Sequence, residues 1–321
     1  MARRLVRAAI RTPFLSHIGG GNCLAAPAAP LPAAVNRGHQ YHAGENLRDV
    51  RGGVHHRVHR RAMTTGFAKP PKAYEIVDYR PRESDTARAP RVLLTCEHAS
   101  EALPRPYRWS SGDAARLLGT HWAFDPGAAD CTRELARELG CLGVLSTFSR
   151  LLIDPNRPLA SSTLIRSHCD GAAVELNDGI DEADRDWRLW RMYVPYHMAI
   201  GKAAEACDPA LILSIHTFTE NYEGERRDFE VGVLCTSEAQ ERVAKKIQIQ
   251  LASAYGFDTR LNEPWSGVDG FMYSADSLAV ARGPGQCTAV MLEVRNDLLT
   301  DPEWRTRFVS ALKIICAGLG T

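Results

Sequence analysis

Two histidines and several carboxylates occupy equivalent places in the chain. His98 follows the apolar run Val92–Thr95, within Cys96-Glu97-His98-Ala99-Ser100-Glu101. His216 follows the run Ala210–Ile215 and opens His216-Thr217-Phe218-Thr219. Glu293 stands at the end of Ala289–Val294, ahead of Arg295, Asn296 and Asp297. Ser149-Arg150 and Asp154-Pro155-Asn156-Arg157 come after a further run, Gly143–Phe148. A lone histidine after a strand is usually a hydrogen-bonded structural residue. Two of them, with carboxylates in the same topological place, point to one shared catalytic or metal site. Two histidines and one carboxylate suit catalytic zinc and leave a position for water. His98 and His216 are the candidate ligands. The carboxylate is open between Asp125, in His121-Trp122-Ala123-Phe124-Asp125-Pro126-Gly127, and Glu101, which forms H-x-x-E with His98. Glu293 would then be free to take a proton from the attacking water. Fe²⁺, Mn²⁺ and Co²⁺ are alternatives to Zn²⁺ for such donors. Cys96 as a nucleophile beside His98 is a weaker reading, because no acid is evident to orient the pair.

Such residues meet only if the apolar runs are strands of one sheet ending side by side. Val92–Thr95, Gly143–Phe148, Ala210–Ile215, Phe229–Cys235 and Ala289–Val294 read as buried strands. Between them, Asp130–Gly140, Glu182–Cys207, Ser237–Tyr255 and Pro302–Cys316 read as helices, the second broken near Pro195. Ser237 with Gln240 forms a capping box, and Gly256 ends that helix. Strands alternating with helices imply an α/β fold, a three-layer sandwich on a mixed, largely parallel central sheet. In such sheets ligands bind beyond the carboxyl ends of the strands. His121 and His197 read as structural, and His168 as a loop residue near the site mouth. Asn262–Gly270 reads as a turn-rich loop that could cover the site.

The chain has 321 residues and a net charge of +1, which averages a basic start and an acidic remainder. Residues 1–71 carry +9 and residues 72–321 carry −8. An acidic body argues against non-specific nucleic-acid binding, and no stretch reads as a membrane span. The start, MARRLVRAAIRTPF, is Arg-rich, amphipathic and free of acids until Glu45. That is the composition of an organellar transit peptide, with the mitochondrial matrix favoured over a plastid because Ser is scarce; cytoplasmic residence is the alternative. Residues 37–62 add five histidines, and the His55/His59 pair could hold a metal, but the segment reads as a solvated linker. The domain organisation is therefore 1–71 transit peptide and linker, and 72–321 one α/β domain. Nine scattered cysteines without a C-x-x-C pair read as reduced thiols.

The segments CEHASEALP (96–104), HWAFDPGA (121–128), SRLLIDPNR (149–157), SIHTFT (214–219) and EVRND (293–297) resemble the N-formylglutamate amidohydrolase family. The resemblance spans about residues 91–315. It implies a carboxypeptidase-like (phosphorylase/hydrolase-like) fold and zinc-dependent hydrolysis of N-formyl-L-glutamate or a related N-acyl amino acid. It also favours Asp125 over Glu101, since Glu101 stands where the family more often has Asn. Asn156 and Arg157 resemble the pair that grips a substrate carboxylate in zinc carboxypeptidases; Arg157 could instead pair with Asp154. Arg150 is placed to assist at the carbonyl oxygen, and Arg226, Arg227 and Arg295 are candidates for a second substrate carboxylate. The alternatives are a carboxypeptidase-like peptidase or amidase with another small substrate, and a non-catalytic relative that binds a small acidic ligand. The expected partner is a small acidic molecule, with oligomeric state open.

Overall fold

The computed structural model describes residues 72–82 and 90–319. The transit-peptide and linker expectations for residues 1–71, including His55 and His59, lie outside the described residues. The sheet strands are β1 (Tyr74–Asp78), β2 (Val92–Cys96), β3 (Leu142–Ser146), β4 (Leu211–Phe218), β5 (Val231–Leu234), β6 (Thr259–Leu261) and β7 (Thr288–Arg295). The helices are α1 (Ser111–Leu117), α2 (Ala128–Leu139), α3 (Glu182–Arg188), α4 (Val194–Cys207), α5 (Glu238–Tyr255), α6 (Tyr273–Arg282), α7 (Asn296–Thr300) and α8 (Pro302–Leu319). Among the described residues the central sheet has seven strands in the order β1-β3-β2-β4-β7-β5-β6. The pairs β3–β2, β2–β4, β4–β7 and β5–β6 are parallel, while β1–β3 and β7–β5 are antiparallel. This is the mixed, mostly parallel α/β sheet that the sequence implies.

Strand alternation divides the inner strands between two buried faces. Leu211, Leu213 and Ile215 of β4 pack with Val290, Leu292 and Val294 of β7 against α2, α5 and α8. Ile212, Ala289 and Met291 face the other way, towards α4 and α6. The three layers follow from that division. On the second face the side chains change character towards the carboxyl ends: Ile212 gives way to Ser214 and His216, and Met291 to Glu293. Strands β4 and β7 pair in parallel over their full length, and this register sets His216 beside Glu293.

Several local details differ from the sequence reading. Strand β4 runs to Phe218, so His216 lies within the strand and is fixed by its ladder. The chain from α3 to α4 is not broken at Pro195 but widens into a π-turn at Leu189–Tyr193, where the Val194 N–H reaches the Leu189 carbonyl. Pro195 has no N–H to give, and a wider turn beside it absorbs the missing bond without ending the helix. Ser237 caps α5, but the Gln240 side chain turns to Thr236, whose N–H donates to it at 2.7 Å, so the expected capping box does not form. Strand β1 is not among the expected strands, because it lies in the Pro-rich, charged stretch 69–90; as an edge strand it needs only one buried side. Helix α6 buries Ser274, Ala275, Leu278 and Ala279, too few large residues to show a helical stripe.

Gly232 of β5 sits opposite Glu293 and under the loop that follows β6. A Cβ there would lie 1.8 Å from the Glu263 carbonyl oxygen. Backbone cannot yield as a flexible side chain can, so Gly232→Ala is expected to cost about 1–3 kcal/mol of stability, as overpacking does. Urea unfolding of the variant beside the parent checks it.

Candidate active site

The carboxyl ends of β2, β4 and β7 open onto a cavity of about 340 Å³. His98, Asp125 and His216 line it together, all buried, and one donor atom of each lies within 4.8 Å of the others. His216 Nδ1 is 2.8 Å and His98 Nδ1 3.4 Å from Asp125 Oδ2. The backbone ties the group at two further points. The Asp125 N–H donates to the His98 carbonyl at 2.9 Å, and the Thr217 N–H to Asp125 Oδ2 at 3.2 Å. The two rings meet edge to face, 4.6 Å between centroids.

Each histidine spends its other nitrogen on a second carboxylate. His98 Nε2 donates to Asp154 Oδ1 at 2.8 Å, and His216 Nε2 to Glu97 Oε2 at 2.9 Å. Both Nδ1 atoms are therefore left to converge beside Asp125. Metal-bound histidines are commonly oriented in this way, by a carboxylate on the distal nitrogen. The donor set, two imidazole nitrogens and a carboxylate oxygen, fits a divalent metal such as zinc. Glu97 and Asp154 were present in the strand-end segments, but nothing in the sequence distinguishes a ligand from the residue that orients it.

These carboxylates are held ionised despite burial. Burial would raise Asp125 and Asp154, but both histidines at Asp125, and His98 with Arg150 at Asp154, hold them well below the usual carboxylate range. Burial likewise opposes ionisation of Glu97, yet His216 and the Ser214 hydroxyl, which donates at 2.7 Å, bring it down to about 2. Glu293 is different. Burial pushes it up to about 7, and the charges of His216, Arg150 and Arg157 only partly offset this. Its Oε2 has no hydrogen-bond partner among the described residues. A carboxyl group near neutrality at the edge of the cavity is suited to exchanging protons.

The remaining expected residues divide. Arg150 spans Asp125 and Asp154, with Nη1 3.4 Å from Asp125 Oδ1 and Nη2 3.2 Å from Asp154 Oδ2, and it lines the cavity. Arg157 lines it too, buried, with its guanidinium 4.6 Å from the Phe271 ring centre. It does not pair with Asp154, which His98 and Arg150 already occupy. The Arg227 guanidinium lies against the Tyr222 and Trp265 rings, 4.6 and 4.3 Å from their centres, and those two rings meet each other edge to face. Asn156 also reaches the cavity, but its side chain is occupied: Nδ2 donates to the Phe271 carbonyl, and Oδ1 accepts from the Ser274 N–H. It holds the loop before α6 in place, and one Nδ2 hydrogen and one Oδ1 lone pair are spent in doing so. Three candidates are not brought in. Glu101 accepts from the Gly119 N–H at 2.6 Å and is not in the donor group. Arg226 is exposed and pairs with Glu220, because the two-residue hairpin that carries it points it outwards. Arg295 is tied to Asp297 and the Asp228 carbonyl, outside the cavity lining.

The quieter residues are also placed. His168 is exposed on a short hairpin away from the cavity. His197 is buried and its Nε2–H donates to the Pro155 carbonyl, 3.0 Å away, which braces the Asp154–Arg157 turn. His121 lines the cavity instead of serving only the core. Cys96 points into the opposite core, and burial drives its thiol well above the usual range, so it is no nucleophile. The loop at residues 262–271 covers the site, with Trp265, Gly270 and Phe271 among its walls. The sequence reading missed Arg166, which also faces the cavity.

The sequence pattern of the N-formylglutamate amidohydrolase family matches residues 90–300. Among solved structures, the gene product Atu2144 from Agrobacterium tumefaciens is 28% identical, with a TM-score of 0.67, over 77% of this chain and 94% of that one. The Helicobacter pylori cell shape determinant Csd4 is 15% identical at a TM-score of 0.40, over 77% of this chain and 55% of that one. The catalytic domain of the N-acetylmuramoyl-L-alanine amidase CwlV from Bacillus (Paenibacillus) polymyxa is 13% identical at a TM-score of 0.34, over 71% and 95%. No curated protein matches the sequence.

The orientation of His216 by Glu97 can be measured directly. Glu97→Gln is expected to weaken zinc binding about 10- to 100-fold, as loss of such an orienting carboxylate does. Competition against a chromogenic chelator gives the affinity.

Proposed function

The chain belongs to the N-formylglutamate amidohydrolase family, and from that premise we propose that it hydrolyses the amide of N-formyl-L-glutamate or a related N-acyl amino acid, releasing the carboxylate and the amino acid. The observation that carries this reading is the convergence of His98, Asp125 and His216 beside a protonatable Glu293 in one buried cavity. His98 Nδ1, His216 Nδ1 and an Asp125 oxygen would hold a divalent metal, with zinc best suited to the donors. When bound, that ion supplies Lewis-acid chemistry and a more acidic water.

The chain's own residues account for the rest. Glu293 takes the proton of the attacking water and returns it to the leaving amine, so that the departing group is the neutral amine. Its buried position keeps the proton exchangeable near neutral pH. Arg150 brings positive charge to the same end of the cavity, where negative charge grows on the carbonyl oxygen. Arg157 receives the α-carboxylate, for which a planar guanidinium offers two parallel N–H groups. Its Nη1 is already fixed by the Asn156 and Gly270 carbonyls, so the group is positioned before substrate arrives. Arg227, held against two rings with Nη1 unpartnered among the described residues, is offered to a side-chain carboxylate. These assignments favour a compact acidic N-acyl amino acid over a long peptide chain, because the cavity is small and rich in arginine.

The Arg-rich, acid-free start supports delivery to the mitochondrial matrix. Residues 1–71 fused to a fluorescent protein are expected to enter mitochondria; diffuse cytosolic signal would refute that address.

Formate release from N-formyl-L-glutamate by the full chain tests the activity. Release is expected to stop on chelation and to return with added zinc. Glu293→Gln is expected to lower kcat about 10²- to 10⁴-fold, the usual range for a general base. A chain that retains zinc but releases no formate would move the substrate elsewhere.

A further inference from the structure

Four arginines face the cavity, Arg150, Arg157, Arg166 and Arg227, and they are unequally supplied with counter-charge. Arg150 bridges two carboxylates. Arg157 touches carbonyls and the Phe271 ring, and Arg227 touches two rings. Arg166 has only the Trp122 ring, 6.0 Å from its guanidinium carbon. Among the described residues, no carboxylate lies within 4.0 Å of the last three guanidinium groups. The carboxylates that do line the cavity are Asp125 in the donor group, Glu293, and Asp269 at the exposed rim.

Arg166 is held in place by the core. Its backbone carbonyl accepts from Asn177 Nδ2 at 2.7 Å. Asn177 Oδ1 in turn accepts from the buried Arg188 at 2.6 Å. The segment is thus anchored where its Arg166 side chain reaches the wall of the cavity that Arg157 also lines. Like charges held together in a partly enclosed space are relieved by a bound anion.

N-formylglutamate has two carboxylates, and three of these arginines lack one. We propose that Arg166 binds a third anionic group, so that the site takes compact N-acyl amino diacids carrying one further carboxylate, on the acyl group or on an added acidic residue. This rests on the hydrolase reading above. A cavity of about 340 Å³ is at the small end of ligand sites, about 300–1,000 Å³, which limits the class to small trianions.

The test is calorimetric binding to the zinc-loaded full chain carrying Glu293→Gln, expected to slow turnover, with and without Arg166→Gln. The ligands are N-formyl-L-glutamate, N-succinyl-L-glutamate and N-formyl-L-glutamyl-L-glutamate. At least one trianion is expected to bind about tenfold or more tighter than the dianion, the order of one charge-assisted hydrogen bond. Arg166→Gln is expected to remove that advantage and leave the dianion within about threefold. Which trianion gains tells whether the third carboxylate lies on the acyl or the amino-acid side. The proposal is overturned if neither trianion binds more tightly, or if Arg166→Gln weakens dianion and trianion alike. Hydrolysis of N-formyl-L-glutamate by the unsubstituted chain is measured beside it. Its absence would sink the substrate reading and leave a measured trianion preference intact.

Discussion

The site depends on burying several charges together and letting them neutralise one another. Glu97, Asp125 and Asp154 are almost fully enclosed, as are His98 and His216. An isolated carboxylate in such surroundings would be protonated or would destabilise the fold. Here each carboxylate accepts from an imidazole, and Arg150 spans two of them. The same contacts fix which nitrogen of each ring faces Asp125. Stability and ligand geometry are therefore set by one network.

The sheet makes that network possible. Parallel strands bring their carboxyl ends to one edge, and the β4–β7 register places Glu293 beside His216. The remaining parts come from loops and must be held by other means. His197 and Ser274 both bond the Pro155 carbonyl, and the Tyr193 hydroxyl donates to the Arg157 carbonyl at 2.9 Å. Tyr193 belongs to the π-turn and His197 to the helix directly after it. The wide turn thus lies next to the residues that brace the Asp154–Arg157 segment from below, and π-turns often occur beside functional sites. Asn156 then links that segment to the loop over the cavity. Site walls from distant parts of the chain are joined by a few buried polar contacts.

Glu293 stands apart from the other carboxylates for a physical reason. It shares their burial but not their hydrogen bonds, so its neutral form is favoured instead of its charged one. Two classes of acid result from two environments within one cavity. One class is kept charged and could hold a cation; the other can gain and lose a proton near neutral pH.

The five inner strands, the three-layer class and the residues at the strand ends were legible in the sequence; the edge strands β1 and β6 were not. Apolar runs of strand length and the two-residue alternation report burial directly, whatever the partner strand is. His98, His216 and Glu293 were visible for the same reason, as ionisable residues at the exits of buried strands, whereas Asp125 lies in the segment before α2 and stood as an alternative to Glu101. Pairing was not legible. Whether His98 is oriented by Asp154, or whether Asp125 rather than Glu101 meets the histidines, depends on contacts between residues far apart in the chain. The choice among arginines was decided the same way. Arg226 and Arg227 are adjacent in sequence, yet the hairpin turns one to solvent and sets the other against rings drawn from two segments. Arg166 carried no local signal, because its place at the cavity follows from how its segment is tied through Asn177 to Arg188. Sequence periodicity determines which side chains are buried; only the packed chain determines which of them meet.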